Sequence, residues 1–302
     1  MNNLKVKNII KYFFVVIAIV FMAYYLYKNW SALNNYDWHF NLIFLLISMF
    51  LLWMGIAISI VLFTLIFRWL LKVEIGFPQV FKMYNITNIG RYIPGKLWSV
   101  MGVFYFTNQM GISKRQTTVA IIINEISSKG SALLIGLGYF FFSPNHSKFV
   151  LPMTGLLVLA LIALHPRILS WLINRILKIL GKDLISIDAE YLKIISIFVL
   201  YTTVWIFCGL GFFFMVSSFT NIQVNNLYKF ITIFPFSIVV GYVALFSPGG
   251  LGIREGIITA MLAEFISSDI AFAAALLQRI WFIMVEALNF GISILLPIRF
   301  KR

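Results

Sequence analysis

Two stretches of this chain, residues 41–67 and 194–219, run for 27 and 26 positions without a charged side chain. An α-helix rises about 1.5 Å per residue, so about 20 apolar residues cross the roughly 30 Å of hydrocarbon in a bilayer. Five further segments have a similar apolar character: 12–27, 116–142, 149–164, 230–246 and 270–300. Each is expected to cross as a helix, because lipid offers no partner for exposed backbone groups. The sequence therefore predicts seven spans.

The composition agrees with this reading and excludes a soluble protein. Hydrophobic residues make up 61% of the chain and charged residues 11%, whereas a soluble domain carries about 25% charged residues. We predict an all-α integral membrane protein in which residues 1–302 form one polytopic domain, with no soluble catalytic domain.

The first apolar segment, 12–27, follows several lysines and so has the outline of a secretory signal peptide. However, Lys28, Asn29 and Trp30 stand where a cleavage site would need small residues. We therefore expect it to be retained as the first span.

Basic residues outnumber acidic ones and give the chain a formal net charge of +14. They precede the first span, follow the second and fill the loop between the fourth and fifth: Lys5, Lys7, Lys11, Arg68, Lys72, Arg167, Arg175, Lys178 and Lys182. Loops rich in Lys and Arg stay in the cytoplasm, so the amino terminus is predicted to be cytoplasmic. The charge reports topology and contact with anionic lipid, and no nucleic-acid partner is expected.

Metal and cofactor chemistry find little support in the sequence. Cys208 is the single cysteine, and the three histidines, His39, His146 and His165, are scattered. Neither a disulfide framework nor a metal site is predicted, and we expect no cofactor. The glycine-rich loop that binds nucleotide phosphates is also missing from the sequence.

Two apolar regions are interrupted by proline and glycine. Residues 88–98 contain a Pro-Gly pair together with Arg91, Lys96 and Trp98, and residues 247–256 contain a second Pro-Gly pair. Proline cannot donate to a helix ladder and glycine lets the backbone turn, so both regions are predicted to be broken or re-entrant elements. If the second region crosses the membrane as a short segment, the count rises from seven spans to eight and both termini lie inside.

The second interruption also has the features of an anion site. Arg254 and Glu255 fall in the first turn of a short helix that follows a run of glycines. Free backbone N–H groups at such a helix start can face an anion.

The two interruptions suggest an internal repeat. Pro94 and Pro248 lie 154 positions apart, and the same offset places Glu125 on Arg279. Transporters are often built from two repeats whose broken helices meet at the substrate site. The repeat halves would be about 1–150 and 151–302.

Charged residues also occur inside two predicted spans. Glu125 and Lys129 lie one helical turn apart, and Arg279 and Glu286 lie two turns apart. A charge at the bilayer centre costs about 2.5–3.5 kcal/mol, so such residues turn inward and find partners. One reading is that Glu125 pairs with Lys129 and Arg279 with Glu286, which only joins helices.

The other reading is a site for an anionic headgroup. In it the cations Arg91, Lys96, Arg254 and Arg279 converge on a phosphate. The carboxylates Glu125, Glu255 and Glu286 balance them when the site is empty, or relay protons. Arginine matches phosphate oxygens with a planar fork, and lysine acts as a point charge.

Both interrupted regions resemble a known family. Their residues look like the two signature segments of the lysylphosphatidylglycerol synthase transmembrane-region family, also called flippase-like domain proteins. The matching positions are Arg91, Pro94, Gly95, Lys96, Trp98, Pro248, Gly249, Gly250, Gly252, Arg254 and Glu255. In hydropathy and motif placement the resemblance covers nearly the whole chain.

The resemblance implies a domain of the bacterial inner membrane. In the multiple peptide resistance factor, the corresponding domain is credited with moving aminoacylated phosphatidylglycerol between leaflets, and a soluble aminoacyl-transfer domain follows it. The sequence ends at Arg302, so we expect that this protein is not a synthase by itself. Stand-alone members look associated with cell-envelope and surface-polysaccharide biogenesis, so a polyprenyl-phosphate-linked glycolipid is a second candidate substrate.

Three function hypotheses remain at this point. The first is a lipid flippase that moves an anionic phospholipid or glycolipid and is not an enzyme. The second is a membrane-embedded glycosyl or lipid transferase, in which Glu125 or Glu255 would serve as a base. The third is a non-transporting membrane partner of a glycosyltransferase.

Overall fold

A computed structural model describes residues 27, 34, 36–91, 97–142, 148–179, 190–244 and 250–297, and within them the fold is helical without strands. Ten α-helices are described: α1 Leu42–Leu65, α2 Phe77–Asn88, α3 Leu97–Gln109, α4 Lys114–Phe142, α5 Val150–Ala163, α6 Pro166–Ile179, α7 Tyr191–Ser217, α8 Leu227–Val243, α9 Ile253–Leu262 and α10 Ser268–Leu295. A π-helical turn, Ile66–Leu70, continues α1.

Five helical segments are long and apolar enough to cross a membrane: Leu42–Leu70, Lys114–Phe141, Tyr191–Ser217, Val224–Val243 and Ser268–Leu295. A sixth crossing is counted if Val150–Ala163 and Pro166–Leu172, which are bent by 91°, form one span. The chain is a multi-pass membrane protein, and five of the predicted spans coincide with these segments. The described residues do not establish the predicted seven to eight, and segment 12–27 lies outside them.

Helices α1 and α7 form the central pair of the bundle and run antiparallel. The Asn41 N–H, at the start of α1, donates to the Ser218 carbonyl just after α7 over 2.6 Å. Farther along, the Tyr201 hydroxyl lies 3.5 Å from the Ser59 carbonyl. Contacts that pair rising numbers in α1 with falling numbers in α7 show that the two helices point in opposite directions.

Helices α2 and α3 are too short to cross the membrane, because 12 and 13 residues rise only about 18–20 Å. The start of α2 and the end of α3 lie at the same end of the bundle. Arg68, in the π-helical turn, donates to the Ile75 carbonyl just before α2 over 2.6 Å. Gln116, in the first turn of α4, reaches the Leu71 carbonyl at 3.5 Å. The connecting residues 92–96 lie outside the described residues, so a re-entrant path remains a prediction.

Helices α8 and α9 have the same relationship at the opposite end of the bundle, where α7 ends. The ring of Phe230, in the first turn of α8, lies 5.6 Å from that of Phe265, just after α9. The Lys229 ammonium lies 4.4 Å from the centroid of the Phe265 ring. The connecting residues 245–249 lie outside the described residues.

The seam between α7 and α8 provides a test of this packing. A Cβ at Gly209 would lie 2.5 Å from the Ile231 Cα and 3.0 Å from its carbonyl oxygen, so Gly209→Ala forces two backbones apart. Overpacking of this kind costs about 1–3 kcal/mol. We expect the thermal midpoint in detergent to fall by several degrees.

Gly291→Ala in α10 is the matched control, because a Cβ there meets no atom within 4 Å. Its midpoint should stay level or rise slightly, since alanine is the better helix former. Equal midpoints for both variants would contradict the close packing of α7 on α8.

Candidate functional site

A cavity of about 360 Å³ lies where the helix pairs α2–α3 and α8–α9 approach α4 and α10. Its lining comes from seven helices and the residues between them: Ser59, Tyr84, Asn88, Arg91, Ser99, Val100, Ile121, Asn124, Glu125, Ser128, Lys129, Ile238, Gly241, Tyr242, Gly250, Arg254, Arg279 and Phe282. Most of these side chains are polar, inside a protein that is otherwise apolar. The volume falls in the usual range for small-molecule sites, about 300–1,000 Å³.

Four cations line this cavity: Arg91, Lys129, Arg254 and Arg279. Arg91, after α2, pairs with Glu286 of α10. The Arg279 Nε lies 2.8 Å from the Glu255 Oε1. The Lys129 Nζ lies 3.3 Å from the Glu125 Oε2 within α4.

One predicted pair, Arg279 with Glu286, is wrong. Seven residues along a helix correspond to a rise of about 10 Å, which is too far for direct contact. Each side chain reaches a neighbouring element instead, Glu286 to Arg91 beside α2 and Arg279 to Glu255 in α9. The predicted pair of Glu125 with Lys129 is present.

The fourth cation, Arg254, is 9% exposed. Its guanidinium carbon lies 5.3 Å from the centroid of the Phe234 ring and 5.4 Å from that of Phe282. Aromatic faces attract cations, more strongly where water is excluded. These rings hold the guanidinium at the cavity wall.

Two glycines with positive φ lead into the short helix α9. Gly250 and Gly252 have φ of 71° and 82°, values that glycine tolerates best. A Cβ at Gly250 would also lie 3.0 Å from the Gly241 Cα, so the chain passes very close to α8. The Gly252 N–H donates to the Glu255 Oε2 over 2.7 Å. This backbone donor of the predicted anion site therefore binds a carboxylate of the protein itself.

Hydrogen bonds join two polar residues of α4, Asn124 and Ser128, to α7. The Tyr201 hydroxyl donates to the Asn124 amide oxygen, and the Trp205 Nε1–H donates to the Ser128 carbonyl over 2.8 Å. The Tyr201 hydroxyl also lies 3.5 Å from the Ser59 carbonyl, and the hydroxyls of Ser59 and Tyr84 lie 3.3 Å apart. A buried polar group costs free energy unless it is hydrogen-bonded, so these contacts fix the shape of the cavity.

The structure brings most of the candidate site residues together. Arg91, Arg254, Arg279, Glu125 and Gly250 line the cavity, while Glu255 and Glu286 bind two of its arginines and Gly252 caps α9. Trp98 is 51% exposed and is not part of the lining. Lys96, Pro94, Gly95, Pro248 and Gly249 lie outside the described residues.

Several lining residues are not among those predicted from the sequence. Lys129 is predicted only as the partner of Glu125, although the same helical turn carries both to the cavity. The Tyr242 ring lies 5.1 Å from the Lys129 ammonium, and Asn88 and Phe282 complete the wall. Nothing in the sequence singles out Tyr242 or Phe282 among 13 tyrosines and 31 phenylalanines.

The charges around the cavity do not balance among the described residues. Arg91, Lys129, Arg254 and Arg279 supply four positive charges, and three carboxylates face them. Arginine and lysine are strong donors to phosphate and carboxylate oxygens. The arrangement can therefore accept an anion that exchanges with the internal carboxylates.

Comparison with known proteins gave one family. The family described as lysylphosphatidylglycerol synthase TM region matches residues 8–285, a range that includes both interrupted regions and all the cavity-lining residues. No curated protein and no solved structure matches the chain.

The Arg279 and Glu255 pair provides a test of the site's electrostatics. The Glu255 side chain is 2% exposed, so Arg279→Met leaves a buried carboxylate without this partner. Breaking one side of a buried pair costs about 3–5 kcal/mol. We expect a large fall in the thermal midpoint of the purified protein.

The double variant Arg279→Met with Glu255→Gln should recover much of that loss, because it removes the uncompensated charge. A double-mutant cycle measured by thermal unfolding gives the coupling between the two residues. Additive effects would show that the two groups do not interact.

Proposed function

The chain belongs to the lysylphosphatidylglycerol synthase TM-region family, and from that premise we propose that it moves an anionic lipid between the leaflets of a bacterial inner membrane. The candidate substrates are an anionic phospholipid and a polyprenyl-phosphate-linked glycolipid of cell-envelope or surface-polysaccharide biogenesis. The observation that carries the proposal is the excess of cations around an intramembrane cavity. Such an arrangement suits a phosphate headgroup.

The ion pairs suggest how the headgroup is bound. A phosphate that enters the cavity competes with Glu286 for Arg91 and with Glu255 for Arg279. The carboxylates then stay close enough to take the arginines back when the lipid leaves. The arginines therefore have a partner of opposite charge both in the empty and in the loaded cavity.

Arg254 has a different task in this proposal. It sits between two aromatic rings at the start of α9, and the ring contacts keep its guanidinium at the cavity wall whether or not a phosphate is present. A planar guanidinium offers two parallel N–H donors to one phosphate. Arg254 is therefore the residue on which we expect headgroup recognition to depend most.

The remaining topology belongs to the same proposal. The interrupted regions after α2 and after α8 are broken or re-entrant elements beside the cavity, and the amino terminus is cytoplasmic. The contacts of Leu71 with Gln116 and of Phe230 with Phe265 support this path, because they bring the chain before each interrupted region close to the chain after it. A backbone that turns at membrane depth is tolerated where it lines a cavity.

Leaflet exchange in proteoliposomes tests the proposal. The assay follows chemically reducible phosphatidylglycerol and polyprenyl-phosphate probes with the intact protein and with Arg254→Gln. Loss of a charge-assisted hydrogen bond costs about 1.5–3 kcal/mol, so exchange should fall about tenfold or more. Circular dichroism and the thermal midpoint establish that the variant is folded.

The matched control is Arg175→Gln, which removes the same charge from an exposed position on α6. Its exchange rate should equal that of the intact protein. If the folded intact protein exchanges none of the anionic lipids, the flippase proposal fails and the transferase and partner hypotheses gain.

A further inference from the structure

A second, smaller cavity of about 170 Å³ opens as a groove between α2 and α10. Its lining is mostly apolar, with Ile89 on one side and Ile283, Ala287 and Phe290 on the other. Ile89 and Ile283 are 40% and 43% exposed, and their neighbours on α10, Met284 and Leu288, face outward as well. This side of the groove therefore faces the surroundings of the bundle, which are lipid for a membrane helix.

The groove adjoins the polar cavity. Asn88 lines both of them. Arg91 lines the polar cavity and its ion-pair partner Glu286 lines the groove, so this pair lies at the boundary. A path from the surrounding lipid to the cavity thus passes through an apolar channel before it reaches the first charge.

We propose that the groove between α2 and α10 is the lateral portal in which an acyl chain of the bound lipid lies, and that the seam between α4 and α8 is its closed counterpart in the other half of the protein. The proposal rests on the proposed function for the identity of the headgroup. It places the boundary between the headgroup and the acyl chain at Asn88 and at the ion pair of Arg91 with Glu286.

The second part of the proposal depends on a correspondence between the two halves. Helices α4 and α10 begin at Lys114 and Ser268, which lie 154 positions apart. Moved by the same offset, α1, α2 and α3 fall on α7, α8 and α9. The packing partners correspond as well: α2 packs on α10 as α8 packs on α4, and α1 packs on α10 as α7 packs on α4.

The offset also pairs residues across the polar cavity. Five pairs of lining residues lie 154 positions apart: Tyr84 and Ile238, Asn88 and Tyr242, Val100 and Arg254, Glu125 and Arg279, and Ser128 and Phe282. The lining thus draws equivalent positions from both halves. Because the paired side chains differ, the correspondence is one of backbone position and not of chemistry.

The two halves point in opposite directions. Helix α1 is antiparallel to α7, the helix that corresponds to it, as the contact of Asn41 with Ser218 shows. A rotation that superposes antiparallel membrane helices has its axis in the membrane plane. Inverted repeats of this kind place a substrate site at their interface and work by alternating its access between the two sides.

The counterpart of the groove is closed. In α4, Gly136 takes the position equivalent to Phe290, and a Cβ there would lie 2.9 Å from the Phe236 Cβ of α8. A Cβ at Gly138 would lie 3.0 Å from the Thr232 Cγ2. Glycine thus lets α8 approach α4 where α2 and α10 leave a channel.

In this proposal the structure is one of two access states, in which the α2–α10 groove is open and the α4–α8 seam is closed. The acyl chain then extends from the cavity into the surrounding lipid between α2 and α10. In the other state α4 and α8 separate and α2 closes on α10. Headgroup contacts at the centre of the cavity are shared by both states, since each half contributes equivalent positions.

Filling the groove tests the portal. Ala287→Trp should occupy it and reduce leaflet exchange of a diacyl anionic lipid at least tenfold. Leu288→Trp, one residue along α10 and 55% exposed, adds the same ring to the lipid-facing surface and should leave exchange unchanged. Equal rates for the two variants would overturn the portal.

Photolabelling separates the portal from the proposed transport. A phosphatidylglycerol probe with a diazirine in its acyl chain should label α2 and α10 beside the groove more strongly than a phosphatidylcholine probe with the same chain, and Ala287→Trp should abolish the difference. Labelling without leaflet exchange would support the portal and contradict transport. Leaflet exchange together with equal labelling by the two probes would support transport and contradict the portal. If there is neither exchange nor a difference in labelling, both proposals are contradicted.

A disulfide tests the counterpart seam. Gly138→Cys with Thr232→Cys joins α4 to α8 in a Cys208→Ala background, since Cys208 is the single native cysteine and the two positions are close enough for the bond. Oxidation should lower the rate of leaflet exchange at least tenfold, and reduction should restore it. Labelling of the groove should persist in the oxidised protein. Full exchange with the disulfide formed would show that this seam does not open.

Discussion

The cost of charge inside a membrane organises the centre of this protein. Each charged group there needs a partner, and helix α10 supplies two of them, seven residues apart. Glu286 binds Arg91 at the end of α2, and Arg279 binds Glu255 in α9. Helix α10 therefore binds both helix pairs, α2–α3 through Arg91 and α8–α9 through Glu255. The polar cavity is the space that remains between them, and its position follows from these two pairs.

That arrangement also explains how a lipid-handling protein can be stable while empty. In the proposed function, the carboxylates bind Arg91 and Arg279 until an anion replaces them, so the same arginines contribute to stability and to binding. Arg254 is the exception, because aromatic rings hold it in addition to any polar partner. In our proposal, the apolar groove beside α2 gives the tails of a lipid a route that avoids these charges. Separate surfaces that meet at Asn88 would then bind the headgroup and the tails.

Much of the fold could be predicted from the sequence, because hydrophobic length is a strong signal. The predicted spans 41–67 and 194–219 coincide, within a few residues at their ends, with α1 and its π-helical turn and with α7. The charges of the cavity could be predicted because a buried charge is rare and must face inward. The pair of Glu125 with Lys129 could be predicted because the two residues lie one helical turn apart. The partners of Glu286 and Arg279 could not, since they lie far away in sequence. Aromatic residues such as Phe282 gave no signal, because phenylalanine is common throughout this chain.

The central claim is that an anionic headgroup occupies the polar cavity with its tail in the groove. Electron cryo-microscopy of the protein in phosphatidylglycerol nanodiscs, and again in phosphatidylcholine nanodiscs, tests it most directly. The account predicts phosphate density in contact with Arg254 and tail density between α2 and α10, in phosphatidylglycerol only. A well-resolved cavity without lipid in both preparations, or the same lipid density in both, would contradict the account.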